Sequence, residues 1–109
     1  MGETYNGWAN YETWCIHMWL TNDEGIYDEC REAAEEHSER YEPIGGYKLR
    51  GCYELMSWLK EHVEYLAELT VPDLFTSGNF VSDLYQAAIS EVDWYEIADS
   101  FLAELKDDA

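Results

Sequence analysis

Basic residues are scarce in this chain, whose 109 residues include six Lys and Arg against 24 Asp and Glu, for a net charge of −18. Proteins bind nucleic acids and anionic membranes mainly through Lys and Arg. The shortage therefore argues against direct binding to either. Such an excess of one sign also costs stability through self-repulsion, so we expect the acidity to serve a purpose.

Long apolar runs are also missing, and none approaches the roughly 20 residues that a membrane-spanning helix needs. The N-terminal segment has neither the basic region nor the apolar run of a secretory signal. Cysteine is sparse and odd in number, at Cys15, Cys30 and Cys52, and these spacings match no disulfide framework. We therefore expect a cytoplasmic protein with no membrane partner and no disulfide bonds.

Catalytic and metal-binding motifs are absent as well. The sequence contains no zinc-ligand spacing, no Glu-x-x-His, no EF-hand loop, no P-loop and no G-x-S-x-G. His17 and Cys15 are two residues apart on a predicted helix, where side chains do not face each other. The sequence therefore predicts a non-enzymatic protein without catalytic residues, metal or cofactor.

The chain does contain enough hydrophobic residues to form a buried core, since 47% of its residues are hydrophobic and five are Trp. The periodicity predicts a compact all-α bundle, a single domain over residues 1–109, with about five helices. A short strand or hairpin near residues 44–50 fits the Gly-rich loop there. The predicted helices cover about 11–21, 24–40, 52–69, 80–90 and the segment after residue 93.

The first of these helices lies in the aromatic block YNGWANYETWCIHMWLTND. Its apolar residues spread around most of the helix, which indicates burial on several sides or completion by a second copy in a homodimer. Asn10 is a good N-cap. A narrow polar stripe remains, and it is the part of the block with a possible functional role: Asn10, Thr13, His17 and Thr21.

Two further predictions concern the last helices. Asp93 and Glu96 have the spacing of a capping box, with Val92 and Ile97 placed as a hydrophobic staple. The helix over 80–90 is expected to turn one apolar face inward. That face consists of Val81, Leu84, Tyr85, Ala88 and Ile89.

The acidic residues form rows on two helices, and many lie four residues apart with no Lys between them. Like-charge pairs at this spacing are destabilising, so a sequence shaped for stability alone would mix the signs. A basic protein partner would gain from such a surface. The predicted binding residues are Asp28, Glu29, Glu32, Glu35, Glu36 and Glu39 on the second helix, and Glu61, Glu64 and Glu68 on the third.

Both ends of the chain resemble a family of small proteins from phages, plasmids and other mobile elements. The resemblance is carried by the pattern Y-N-G-W-x-N-Y-E-T-W at the N-terminus and by VDWYEIADSFL near the C-terminus. It implies no known activity and no catalytic residues. It does imply a mobile-element setting in a host cell, where small acidic proteins often inhibit host defence.

Two functional hypotheses follow. The first is a nucleic-acid mimic of the anti-restriction or anti-CRISPR type, whose carboxylates stand in for phosphates on a basic nucleic-acid-binding protein. The second is an adaptor or regulatory protein that binds its partner through apolar and aromatic contacts, with the acidity serving only solubility or salt adaptation. Salt dependence distinguishes them, because screening weakens the first kind of binding steeply and the second hardly at all.

Overall fold

The computed structural model of the protein describes residues 4–41, 48–75 and 80–107. Over these residues the chain forms five helices and no strand: α1 Tyr11–Asn22, α2 Glu24–Tyr41, α3 Lys48–Thr70, α4 Phe80–Ser90 and α5 Trp94–Asp107. The all-α prediction is confirmed. The predicted strand is wrong at residues 48–50, which begin α3, and residues 44–47 lie outside the described part.

The caps explain where the helices begin. Oδ1 of Asn10 accepts a hydrogen bond from the Thr13 amide at 2.9 Å, as predicted, and Oδ1 of Asp23 does the same for the Ile26 amide at 3.0 Å. The predicted start of α3, at residue 52, is four residues too late. The prediction leaves Gly51 out of the helix, because a glycine in a helix costs about 1 kcal/mol relative to alanine. Gly51 is buried within α3, so tertiary packing outweighs its low helix propensity.

The core lies where α2, α3 and α5 pack together, with α1 placed across α2 and α5. On α2 the core residues are small, which lets the neighbouring helices approach closely, whereas α3 and α5 supply the large side chains. The central buried residues are Cys30, Ala33, Ala34, Leu55, Leu59, Ile97, Ala98 and Phe101.

The helix α4 lies at the edge of this arrangement, without extensive contact to the other four helices over the described residues. Ile89 is buried and Tyr85 is partly buried, but Val81, Leu84 and Ala88 are exposed. The prediction that all five face inward is therefore wrong for three of them. Periodicity shows that residues share a face, and no other element covers most of this one.

A tight turn precedes α1 at Tyr5–Trp8. The two end residues exchange backbone hydrogen bonds, each 2.8 Å long, and the two central residues have positive φ, 47° at Asn6 and 87° at Gly7. Asn-Gly is the preferred pair for such a type I′ turn. The turn brings the Tyr5 ring to 5.0 Å from Trp14 on α1, so part of the aromatic block is structural.

Replacing Gly7 by Ala is expected to destabilise the protein by about 1–2 kcal/mol, because a Cβ is unfavourable at positive φ. No atom lies within 4 Å of the added Cβ position, so the effect comes from the backbone alone. Urea unfolding measures it. The matched control is Asn6→Gly, which relaxes a positive φ and should change stability by less than about 0.5 kcal/mol. Equal stability of Gly7→Ala and wild type would contradict the prediction.

Candidate functional site

The acidic residues of α2 lie on the side of the helix away from the core. Asp28, Glu32 and Glu35 fall within about 60° of one another around the helix, and all three are exposed. The buried residues Cys30 and Ala34 occupy the opposite side. The predicted acidic face of α2, which we define as Asp28, Glu29, Glu32, Glu35, Glu36 and Glu39, is therefore brought together by the helix itself.

The remaining members of this face extend it. Glu29 and Glu36 are exposed one to two turns apart at its edge, and Glu39 continues the row by its position in α2, although its side chain lies outside the described part. From residue 28 to residue 39 the helix rises about 16 Å, which gives about one carboxylate per 3 Å. One DNA strand carries one charge per about 3.4 Å of helix axis.

Glu29 also has a structural contact at the seam between α2 and α3. Its Oε2 lies 2.8 Å from Nε2 of His62, whose ring stacks on Trp58 at 4.6 Å between centroids. The two groups form an ion pair whenever His62 is protonated. Glu29 therefore contributes to helix packing as well as to the exposed charge.

The predicted acids of α3 are placed less uniformly. Glu61 and Glu68 are exposed, whereas Glu64 is half-buried. Burial, and then the charge of Glu64, raise the pKa of Tyr85 on α4 to about 12. Glu64 therefore lies near Tyr85 of α4.

The polar stripe of α1 proves to be structural at Asn10 and Thr13. Thr13 is completely buried, and its hydroxyl donates to Oδ1 of Asn10 at 2.6 Å and accepts from the amide of Asp93 at 2.9 Å. Nδ2 of Asn10 donates to the carbonyl of Glu91 at 2.7 Å. These side chains fasten the start of α1 to the segment between α4 and α5.

Glu96 takes part in the same connection. The amide of Glu96 donates to Oδ1 of Asp93 at 3.0 Å, as a capping box requires. Its carboxylate, however, accepts from the amide of Ala9 at 2.8 Å and does not return to Asp93. Half of the predicted capping box is thus confirmed. The contact with Ala9 was missed because the two residues are far apart in sequence.

His17 is the third member of the stripe and lies between two aromatic rings. Its centroid is 4.3 Å from Trp8 and 5.7 Å from Phe101. Its Nε2 is buried and has no hydrogen-bond partner among the described residues. Burial lowers the pKa of His17, and the nearby negative charge of Glu104 opposes this effect only in part. Burial therefore favours the neutral form of the imidazole.

This burial predicts that acidification destabilises the protein through His17. Its pKa in the folded protein lies below the ordinary value of 6.5, so below pH 6.5 the unfolded chain binds a proton there that the folded chain resists. The His17 contribution to the free energy of unfolding should fall as the pH decreases from 6.5 towards the lowered pKa. Urea unfolding of wild type and His17→Gln at pH 7.5, 6.5 and 5.5 measures it.

The variant removes the titrating group and keeps every other one, so the difference between the two proteins isolates His17. Wild type should lose stability relative to His17→Gln as the pH falls. Parallel pH profiles for the two proteins would show that His17 binds protons equally in the folded and unfolded states.

Two of the three cysteines are buried thiols. Cys30 and Cys52 are buried, and burial raises the pKa of Cys30 to about 12 and that of Cys52 above its ordinary range. Cys15 is half-buried. No three His, Cys, Asp or Glu side chains within residues 4–41, 48–75 and 80–107 are grouped as a metal site.

A concave apolar surface, which the sequence did not predict, lies between α1, α3 and α4. This α1–α3–α4 groove has a volume of about 680 Å³. The signal for this groove in the sequence is the apolar face of α4, although the periodicity of α4 alone predicts that this face packs against the core. Its lining includes Ile16, Trp19 and Leu20 from α1, Val63 and Leu66 from α3, Val71 just after α3, and Val81 and Tyr85 from α4.

Fold and surface together define a small all-α domain with a strongly acidic exposed face on α2 and an apolar groove elsewhere. The chain belongs to a family of unknown function (DUF7249), which matches residues 1–107. No curated protein and no solved structure matches it. Across the described residues, none of the helices combines the length and the apolar character needed to cross a membrane.

Proposed function

We propose that the protein is a non-enzymatic nucleic-acid mimic that occupies the basic nucleic-acid-binding surface of another protein. The observation that carries the proposal is the acidic face of α2. Its exposed carboxylates are spaced along the helix about as closely as phosphates along one DNA strand. Carboxylates held on a rigid helix are pre-organised, which reduces the ordering cost of binding.

The setting we propose is the cytosol of a host cell, in which a phage or plasmid protein inhibits a defence system of the anti-restriction or anti-CRISPR type. The resemblance of both chain ends to mobile-element proteins supports this setting, together with the acidity. Such systems act on nucleic acids through basic surfaces, and a basic surface is complementary in charge to the acidic face of α2.

The test is capture of host proteins on the immobilised chain at low salt, followed by elution with double-stranded DNA. The variant Glu32→Lys, Glu35→Lys, Glu36→Lys, Glu39→Lys should retain the fold and lose the captured proteins that DNA elutes. Its matched control reverses four exposed acids elsewhere, Glu54, Asp83, Glu91 and Asp99. Both variants change the net charge by eight units, so only position differs.

Three results together support the mimic. Wild type and the control variant capture the same proteins, the α2 variant fails to capture them, and DNA elutes them. Binding should also weaken steeply between low and moderate salt, because charged surfaces are screened. Equal capture by the α2 variant, or binding that resists both DNA and salt, contradicts it. That result would favour the adaptor hypothesis, for which the exposed apolar groove is the relevant surface.

A further inference from the structure

We propose that the α1–α3–α4 groove binds an amphipathic helix of a partner protein, with apolar residues in the groove and Lys or Arg along the helix edges. This inference goes beyond the nucleic-acid mimic, because the groove is a different surface with a different chemistry. It stands whether or not the acidic face of α2 imitates phosphates.

The apolar character of the groove continues onto its rim. Ile16, Leu20 and Val63 line its floor. Trp19 stands at the edge with 65% of its surface exposed, and Val81 on α4 is also exposed. Contiguous exposed apolar surface with a polar border is typical of sites that bind other proteins. An open rim of this kind suits a protein segment better than a small ligand, which pockets normally enclose on most sides.

The charge around the groove selects among possible occupants. Asp23 lines the groove, no Lys or Arg does so among the described residues, and Glu64 lies close enough to the lining residue Tyr85 to raise its pKa. Glu68 follows Ala67 of the lining and is exposed. Positive charges beside the apolar anchors of a partner would meet these carboxylates.

The same charge argues against a second copy of the chain. Each copy carries a net charge of −18, so pairing two grooves brings two strongly negative molecules together, and like charges facing each other across an interface are costly. A helix is the natural shape for the occupant, because it presents apolar residues at i, i+3, i+4 and i+7 to a groove between helices.

The proposal can be tested with the full chain and three synthetic peptides. The first has Leu at i, i+3, i+4 and i+7 with Lys beside them. The second replaces each Lys by Glu, and the third scrambles the first so that the Leu residues no longer share a face. Methyl NMR titration of Val63, Leu66, Val71 and Val81 reports occupation of the groove. The first peptide should bind at least tenfold more tightly than either control.

A pair of chain variants locates the binding. Val71→Asn with Val81→Asn removes exposed apolar groups without changing charge, and should weaken binding of the first peptide at least tenfold. The α2 variant, in which four Glu are replaced by Lys, leaves the groove lining intact. The first peptide should therefore still shift the methyl signals of the groove in this variant. The two proposals can therefore fail independently. The mimic is tested by the Lys reversals on α2, whereas groove binding is tested by the substitutions at Val71 and Val81.

Three outcomes overturn the proposal. The first is equal binding of the Glu peptide or of the scrambled peptide. The second is a set of shifts that maps to the acidic face of α2 instead of the groove. The third is self-association of the chain through the groove at the titration concentrations, seen by sedimentation, which would assign the groove to a second copy.

Discussion

Thr13→Val should destabilise the protein by about 2 kcal/mol, although the two side chains have nearly the same shape, because the substitution removes a buried hydroxyl that makes two hydrogen bonds. The Thr13 hydroxyl accepts from the amide of Asp93 at 2.9 Å and donates to Asn10 at 2.6 Å. Thr13 is 0% exposed and the hydrogen bond is partly buried, so water has limited access to the place of the lost hydroxyl. For a domain of this size the melting temperature should fall by roughly 8–16 °C.

Thr13→Ser is the matched control, because it keeps the hydroxyl and removes one buried methyl group, at a cost of about 0.8 kcal/mol. Thermal unfolding should place the variants in the order wild type, Thr13→Ser, Thr13→Val. Hydrogen exchange of the Asp93 amide provides a local readout, and it should accelerate in Thr13→Val only. The account fails if Thr13→Val is as stable as Thr13→Ser and its Asp93 amide stays protected.

The contacts of Thr13 show how far the sequence alone could predict this fold. The helices and the caps at Asn10 and Asp93 follow from local signals, since a cap bonds an amide three residues away. The partner of Thr13, in contrast, is 80 residues distant, and no local pattern gives such a pairing. The two chain ends that carry the family resemblance meet here, so part of that pattern has a structural role.

The residues of the candidate site likewise fall into two groups, those whose exposure follows from local sequence and those whose burial depends on tertiary packing. Exposure of Asp28, Glu32 and Glu35 could be predicted, because the apolar stripe of α2 fixes which side of the helix is buried. The half-buried position of Glu64 could not, since it depends on where α4 lies. Periodicity groups residues on one face of a helix, but it does not tell whether another element covers that face. The groove escaped prediction for this reason.

A pair of substitutions, one on α5 and one on α4, distinguishes an apolar face that another helix covers from one that is left exposed. The substitution on α5 has the largest effect on stability that we expect. Phe101→Ala should cost about 3–5 kcal/mol, as for other large side chains removed from a core. Phe101 is 0% exposed, and its ring centroid lies 5.7 Å from His17 and 6.2 Å from Tyr27. Its loss would open a cavity where α1, α2 and α5 meet, which urea unfolding would register as a reduced midpoint.

Leu84→Ala is the informative counterpart, because the apolar pattern of α4 predicts that Leu84 faces inward, whereas the structure leaves it 65% exposed. A buried Leu→Ala substitution costs about 2–5 kcal/mol, whereas an exposed one stays within about 0.5 kcal/mol. Near-neutral stability for Leu84→Ala beside a large loss for Phe101→Ala is the expected result. A loss above 2 kcal/mol at Leu84 would mean that this side chain is covered in the isolated protein, and would contradict the exposed position of Leu84.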